Sequence, residues 1–172
     1  MDQVNRQDRL DAEAAEQVRR WARGERTWAE VEGITFEEAQ GIARVGCELA
    51  GAGRLEEARV VFEGLCTLNP RDGAVRAALG TVYQKLGRVP EARAEYDAAL
   101  QLSPDNPVAL ANRGELRLRA GDRDGLVDLA RAIEADPGGE TAASRRARAL
   151  LRAMAMLAAE AAAAARGQGA AG

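Results

Sequence analysis

Apolar residues recur at helical spacing along most of this chain, and glycine turns and proline stops separate the helices that they predict. Over residues 2–23 the apolar positions fall at i, i+4, i+8 and i+11, on one face of a helix. The members of that face are Leu10, Ala14, Val18 and Trp21. A capping box follows at Thr35, with Glu38 three residues later. The pattern predicts an N-terminal helical segment over residues 1–34, ahead of a longer helical region.

A period of 34 residues runs through the middle of the chain. Two sets of glycines keep this step, and alanine, aromatic and proline positions follow in the same order. These positions are Gly46, Gly80 and Gly114; Gly53, Gly87 and Gly121; Ala58 and Ala92; Phe62 and Tyr96; Pro70 and Pro104. Such a period predicts stacked helix–turn–helix units with a concave surface. We expect an all-α, right-handed α-solenoid over residues 35–140, with three repeats at 39–72, 73–106 and 107–139.

The first glycine of each repeat falls within a helix, where it costs about 1 kcal/mol relative to alanine. Its recurrence predicts a close approach of the two helices of each repeat. The third repeat departs from the pattern, because Asp136-Pro137 arrives one residue early. After realignment, Gly125, Leu129 and Ala132 take the slots of Ala92, Tyr96 and Ala99. Arg113 and Arg117 stand in slots that are apolar in the earlier repeats, so each must reach solvent or find a partner.

Residues 141–166 predict a capping helix that covers the last edge of the array. Its apolar stripe consists of Ala147, Leu150, Leu151, Met154 and Leu157. Arg145, Arg146 and Arg148 are expected on its solvent face. Residues 167–172 are rich in alanine and glycine and are expected to form a flexible tail.

The composition favours helix and argues against several kinds of site. No histidine occurs among the 172 residues, which removes the commonest general base and metal ligand. Cys47 and Cys66 lack metal-ligand spacing and are expected to be reduced thiols of the core. No nucleophile–base pair stands out. We therefore expect no enzyme activity, no cofactor and no metal.

Charge and hydropathy add expectations about partners and location. The net charge of −3 does not favour a polyanionic partner. Arg113, Arg117, Arg119 and Arg123 form a basic patch without interleaved aromatic residues, which favours a solvated or protein-facing patch over nucleic-acid binding. The polar N-terminus lacks the apolar core of a secretory signal, and no apolar run approaches the roughly 20 residues that span a bilayer. We expect a cytoplasmic protein without membrane insertion.

The repeated positions resemble the tetratricopeptide repeat over residues 39–137. That pattern has a small residue, a hydrophobic residue or tyrosine, an alanine, an aromatic and a proline. They correspond to Gly46, Gly80 and Gly114; Leu49 and Tyr83; Ala58 and Ala92; Phe62 and Tyr96; Pro70 and Pro104. Ile42 and Arg76 depart from it, because the family often has Trp or Leu there. The resemblance implies that the first helix of each repeat lines a concave groove.

In that register the second, fifth, ninth and twelfth residues of each repeat face inward. They are Gln40, Ala43, Cys47 and Ala50; Ala74, Ala77, Thr81 and Gln84; Val108, Ala111, Glu115 and Leu118. These residues are mostly small and uncharged, which suits an apolar extended peptide. Ala43, Ala77 and Ala111 share one column that would leave room for a guest side chain. The alternative is that an alanine-rich chain produces such a column by composition alone.

The layout also resembles the class II chaperones of bacterial type III secretion. An N-terminal helix, a short linker helix and a Gly-Ile-Thr-x-Glu-Glu start precede three repeats, and LEEARVVFEGLCTLNP is similar to that family's first repeat. In that family the chaperone holds hydrophobic translocators in the cytosol until export, with an extended translocator segment in the groove. In that family the N-terminal helix also takes part in dimer formation.

This resemblance implies a cytosolic chaperone or adaptor that binds an extended segment of a translocator-like protein. It also implies a possible homodimer with Leu10, Val18 and Trp21 at the contact. For Trp21 the alternative is an anchor that holds the N-terminal helix on the array. For the whole chain the alternative is a general tetratricopeptide scaffold in another bacterial protein assembly.

Overall fold

The computed structural model describes residues 12–20, 22, 23 and 25–169 of the chain. Over these residues the regular secondary structure is α-helical, with no strand. Residues 12–20 are helical and form α1. The helices that follow are α2 (Trp28–Glu32), α3 (Phe36–Gly51), α4 (Leu55–Leu68), α5 (Gly73–Lys85), α6 (Val89–Leu102), α7 (Pro107–Arg119), α8 (Gly125–Ala135) and α9 (Ala142–Gly169).

The helices from α3 to α8 pack as three pairs of sequence neighbours, α3 with α4, α5 with α6 and α7 with α8. The first helices of successive pairs also touch, α3 with α5 and α5 with α7, and α9 packs against both α7 and α8. The result is a right-handed solenoid of three repeats, flanked by N-terminal helices and closed by a C-terminal helix. The predicted fold class is confirmed.

Capping boxes set the start of the first two complete helices. The Thr27 hydroxyl accepts from the Glu30 backbone N–H, and the Glu30 carboxylate accepts from the Thr27 backbone N–H. Thr35 and Glu38 repeat this arrangement at the start of α3, as the sequence predicts. Both boxes satisfy backbone donors that the first turn of a helix leaves without an internal partner.

The side chains of α1 are mostly exposed, and they include Val18 from the predicted apolar face. Leu10 and Trp21, the other two residues of the predicted dimer contact, lie outside the described residues. Within the chain, α1 is held to the loop that follows it by ion pairs. In these, Arg23 contacts Glu16 at 3.2 Å and Glu25 at 2.6 Å. The described part of the apolar face is therefore left open to solvent.

The mid-helix glycines mark the close approach of two helices in each repeat, as predicted. A Cβ on Gly80 would lie 2.7 Å from a ring carbon of Tyr96, and a Cβ on Gly46 would lie 2.9 Å from the Phe62 ring. Both aromatic rings are fully buried between the helices. A Cβ on Gly114 would meet backbone, 2.8 Å from the carbonyl oxygen of Gly125. In the third repeat a second glycine therefore replaces alanine at the helix crossing and brings the two backbones together.

The turn glycines have a different role. Gly53, Gly87 and Gly121 have φ angles of 78°, 77° and 81°, in the left-handed region that favours glycine. Each stands between the two helices of its repeat, after α3, α5 and α7. The 34-residue spacing thus repeats two kinds of glycine. One allows two helices to approach closely, and the other allows a positive φ in the turn between them.

Two arginines of the predicted basic patch are neutralised inside the third repeat. Arg113 donates to both carboxylate oxygens of Asp128, at 2.8 and 2.7 Å, and Arg117 donates to one of them at 3.1 Å. Arg113 also pairs with Asp97 at 2.8 Å, and Arg117 lies 3.7 Å from Asp122. These two therefore do not belong to a solvated patch; each has found a partner, the second of the two alternatives that the sequence leaves open, because a buried aspartate holds both guanidinium groups.

The last helix begins at a well-capped turn. The Asp136 carboxylate accepts the backbone N–H groups of Thr141 and Glu140, at 2.8 and 2.9 Å, and these bonds hold the pKa of Asp136 far below its usual range. Arg145 donates to the carbonyls of Gly139 and Glu140. Arg148 similarly donates to the carbonyls of the Asp136-Pro137 turn. Arg145 is exposed, as the sequence predicts, whereas Arg148 is half-buried, and both also bind turn carbonyls ahead of their own helix.

Among the described side chains of α9, those that pack on the array lie in the first half of the helix. Ala147 is buried and Leu150, Leu151 and Met154 are half-buried, whereas Leu157 is exposed although the sequence places it in the apolar stripe. The helix continues to Gly169, three residues beyond the predicted end of the capping helix. No helix among the described residues, α9 included, is both long and apolar enough to cross a membrane.

Candidate binding groove

The inner wall of the solenoid carries three clefts. A central cleft of about 390 Å³ lies between α3, α5 and α7. An N-terminal cleft of about 470 Å³ lies where α2 meets α3, α4 and α5. A C-terminal cleft of about 510 Å³ lies between α7 and α9. The first helices of the three repeats, α3, α5 and α7, are the inner helices. The N-terminal and central clefts share Ala74 of α5, and the central and C-terminal clefts both contain residues of α7, so the three clefts follow one another along these helices.

The structure brings most of the predicted groove residues to these clefts. Six line the central cleft: Cys47, Ala50, Ala74, Ala77, Thr81 and Val108. Gln40 and Ala43 line the N-terminal cleft, to which Ala74 also belongs, and Glu115 and Leu118 line the C-terminal cleft. Gln84 and Ala111 are not among the residues that line any of the three. The register derived from the repeat thus places ten of the twelve residues on a cleft wall.

The column of Ala43, Ala77 and Ala111 is more buried than the sequence predicts. Ala77 is 2% exposed and Ala111 is 0% exposed, whereas Ala43 is half-buried. Ala111 belongs to the buried cluster that also contains Ala143 and Ala147 of α9. The prediction that Ala111 faces a guest is wrong, because in the third repeat this position is buried against α9. The small side chain there permits close packing of the helices and does not offer open surface.

Hydrogen bonds between side chains join helices of the array from α5 to α9. The Tyr96 hydroxyl donates to Gln84 Oε1 at 2.7 Å. The Asn112 amide donates to Thr81 Oγ1 at 3.0 Å, and Arg146 donates to Asn112 Oδ1 at 2.6 Å. Burial raises the pKa of Tyr96 to about 12, so its hydroxyl remains a donor at neutral pH. Each bond joins two helices, and the inner wall is thereby fixed at a set spacing.

Asn112 and Arg146 join the inner helices through contacts that the repeat register does not predict. Asn112 follows Ala111 in α7 and is buried. Its amide nitrogen donates to Thr81 and its amide oxygen accepts from Arg146, so both polar atoms have a partner. Arg146 lies on α9, which follows the last repeat and has no place in the register. Its side chain is 52% exposed, in agreement with the expected solvent face, and it also reaches Asn112 because α9 takes the place that the first helix of a fourth repeat would have.

The comparison with protein families decides the identity of the array. The tetratricopeptide repeat family model matches residues 46–107 and 77–140. This chain belongs to the tetratricopeptide repeat family. The two matches overlap and together cover more than half of the chain. They include α3 from Gly46 onward and the whole of α4 to α8.

Solved structures of tetratricopeptide proteins share the fold. The type III secretion translocator chaperone SycD of Yersinia enterocolitica aligns with a TM-score of 0.64 and 22% identity, over 74% of this chain and 98% of that one. PcrH, a protein of Pseudomonas aeruginosa, in complex with the chaperone binding region of PopD, aligns with a TM-score of 0.61 and 24% identity, over 72% of this chain and 96% of that one. SycD has also been solved as an alternative dimer.

A curated relative matches a smaller part of the chain. The CTR9 homolog of Arabidopsis thaliana is 34% identical over 90 residues, which is 49% of this chain. The match covers 8% of the length of that protein, so this tetratricopeptide array corresponds to a small portion of it.

The two cysteines of this tetratricopeptide array have different surroundings. Cys47 is exposed and lines the central cleft, so the prediction of a core thiol is wrong for it. Cys66 is half-buried on α4, and burial raises the pKa of its thiol to about 11. Because the thiolate is the reactive form, Cys66 reacts slowly near neutral pH. Cys47 is therefore a position in the groove that a thiol reagent can label selectively.

Proposed function

We propose that this protein is a cytosolic chaperone that binds an extended, mainly apolar segment of a translocator-like protein along its inner wall. The observation that carries the proposal is the central cleft, whose wall consists largely of small and apolar side chains from three successive inner helices. Pockets that bind extended peptides commonly combine apolar walls with a few polar groups. The polar groups here are Thr81, Lys85 and Asn106.

The structural relatives support this choice of partner. SycD is described as a translocator chaperone, and PcrH was solved with the chaperone binding region of PopD. The likeness to both includes almost the whole length of those chains. By analogy with these relatives, we infer that the partner of this chain is an extended segment of a larger protein.

The test uses the exposed thiol in the cleft. Cys47 is labelled with a benzophenone maleimide, the labelled protein is irradiated in an extract of the source cell, and cross-linked peptides are identified by mass spectrometry. We expect cross-links to an apolar segment of one protein that also contains long hydrophobic stretches. The control carries Cys47→Ser and Val60→Cys, which moves the label to an exposed position on α4. Cross-links at the α4 position but none at Cys47 would show that the partner binds another face.

A charged side chain in the cleft should block that segment. Cys47→Arg fills the central cleft and brings a charge to an apolar site, so we expect a peptide of the cross-linked segment to bind about thirtyfold more weakly, or about 2 kcal/mol. The exposed position allows the new side chain to reach solvent, so helicity measured by circular dichroism should not change. Val60→Arg adds the same charge on α4 and should leave binding unaltered. Equal affinities for the two variants would contradict a groove-bound peptide.

We further propose that residues 1–33 carry a homodimer contact. The support is the open apolar face of α1, on which Val18 is exposed in the single chain. Dimerisation is also known for a structural relative, SycD.

Val18→Glu should convert a dimer into a monomer, because it places a charge in the centre of that contact. Ala12→Glu adds the same charge on the opposite face of α1 and serves as the control. Analytical ultracentrifugation at tens of micromolar, the range of modest affinities, measures the mass. A wild-type protein that is already monomeric under these conditions would show the proposal to be wrong.

A further inference from the structure

The C-terminal cleft is an apolar recess with cationic edges. Its walls come from Leu118 on α7 and from Ala149, Leu150 and Met154 on α9. The other residues that line it are Glu115, Arg119 and Arg146. A recess of this size, about 510 Å³, accommodates a large aliphatic or aromatic side chain.

The cleft continues the surface that the central cleft begins. Both clefts contain residues of α7, and α9 lies next to α7 as α7 lies next to α5. The hydrogen bonds from Arg146 to Asn112 and from Asn112 to Thr81 join the two floors. A peptide that follows the inner helices in order therefore passes from the central cleft to the C-terminal cleft.

The charge of the two clefts is opposite to that of the whole chain. The charged residues that line them are Lys85, Arg119 and Arg146 against Glu115, whereas the chain has 27 acidic and 24 basic residues. The side chains of Arg119 and Arg146 are 71% and 52% exposed, and that of Glu115 is 13% exposed. Glu115 lies 3.2 Å from Arg146 but 3.9 Å from Arg119, and a guanidinium has more donors than these contacts use.

We propose that the C-terminal cleft is a second compartment of the binding groove, which receives an apolar side chain of the partner peptide next to an aspartate or glutamate of that peptide. Arg119 and Arg146 would bind the carboxylate, and Leu118, Leu150 and Met154 would contact the apolar side chain. This proposal rests on the proposed function and specifies the partner's chemistry: an apolar segment with an acidic residue beside one of its anchors.

The experiment selects ligands from a phage-displayed library of random linear peptides. On the wild-type protein we expect peptides enriched in apolar residues, with an aspartate or glutamate beside one of them. On the double variant Arg119→Gln/Arg146→Gln the acidic enrichment should disappear while the apolar positions remain. A synthetic peptide from the wild-type selection should bind the double variant about tenfold more weakly, and added salt should reduce that difference. Arg152→Gln, also on α9 but not lining the cleft, is the control and should not change affinity.

A second variant leaves the hydrogen-bond chain intact. Ala149→Glu places a carboxylate at an exposed position of the cleft wall, so selection should then favour lysine or arginine where the wild type favoured an acid. Apolar peptides without acidic enrichment on the wild type, or the same acidic enrichment on both charge variants, would overturn this inference and leave the proposed function standing. Failure to enrich any peptide on the wild type would overturn both.

Discussion

Asp128→Ala should lower the free energy of unfolding by about 3–5 kcal/mol, the usual cost of removing one partner from a buried ion pair. Asp128 is 3% exposed and accepts bonds from Arg113 at 2.8 and 2.7 Å and from Arg117 at 3.1 Å. Without it, two largely covered guanidinium groups lose their common carboxylate. Because the total free energy of unfolding of a domain is about 5–15 kcal/mol, this loss would be a large share of the stability of the protein. Urea unfolding followed by circular dichroism measures it.

The matched control removes another carboxylate from the same cluster. Asp97 also binds Arg113, at 2.8 Å, but its side chain is 51% exposed. Asp97→Asn should therefore cost less than about 1 kcal/mol, as is usual for an exposed pair. If the two substitutions destabilise equally, burial is not what makes the Asp128 contacts important.

Gly125→Ala should destabilise the third repeat by about 1–3 kcal/mol, the range for overpacking in a tight interior. A Cβ at this position would lie 2.5 Å from the carbonyl oxygen of Gly114 and 3.0 Å from the backbone nitrogen of Leu118. Both atoms are backbone, so α7 and α8 must move apart to accept the methyl group. The same urea titration gives the size of the effect.

Gly64→Ala provides a comparison with the opposite sign. Gly64 lies within α4, and a Cβ there would meet nothing within 4 Å. Alanine is the better helix former and restricts the unfolded chain, so this variant should gain about 0.5–1 kcal/mol. A loss of stability in both variants would mean that helix packing does not account for the Gly125 result.

The repeat fold could be predicted from the sequence because its signals recur at one fixed step. Gly80 and Tyr96 illustrate this: the missing Cβ and the aromatic ring occupy one site of contact, and the same pair recurs as Gly46 and Phe62. The third repeat could be aligned only after the early Asp136-Pro137 turn was recognised. Its buried Leu129 and Ala132 occupy the slots that this alignment gives them.

The polar contacts could not be predicted to the same extent. The unusual positions of Arg113 and Arg117 indicate that each needs a partner, but Asp128 belongs to the following helix and carries no repeat signal. The contacts of Arg146 could not be predicted for a similar reason, since α9 lies beyond the last repeat and has no equivalent in it. Contacts that occur once in the array leave no periodic trace, so the sequence does not reveal them.

The inward-facing positions show a second limit: the position of a residue within the repeat does not predict whether its side chain is accessible. Facing inward and being accessible are different properties, because the concave side is also where successive inner helices touch. Ala77 and Ala111 face inward and are covered by that packing, whereas Cys47 and Val108 retain exposed surface. Which residues stay accessible depends on the helix spacing, and that spacing is a property of the folded array.

Burial is distributed unevenly along the solenoid. Among its 16 residues α3 buries one, Gly46, whereas α7 buries six of its 13. Opening the N-terminal end therefore exposes fewer buried residues than opening the third repeat, and we expect the two ends of the inner wall to differ in local stability. A peptide seated across all the inner helices would tie the loosely held first repeat to the firmly packed third. The free energy of such a complex would then include ordering of the N-terminal repeat, and amide exchange in α3 would slow on binding much more than exchange in α7.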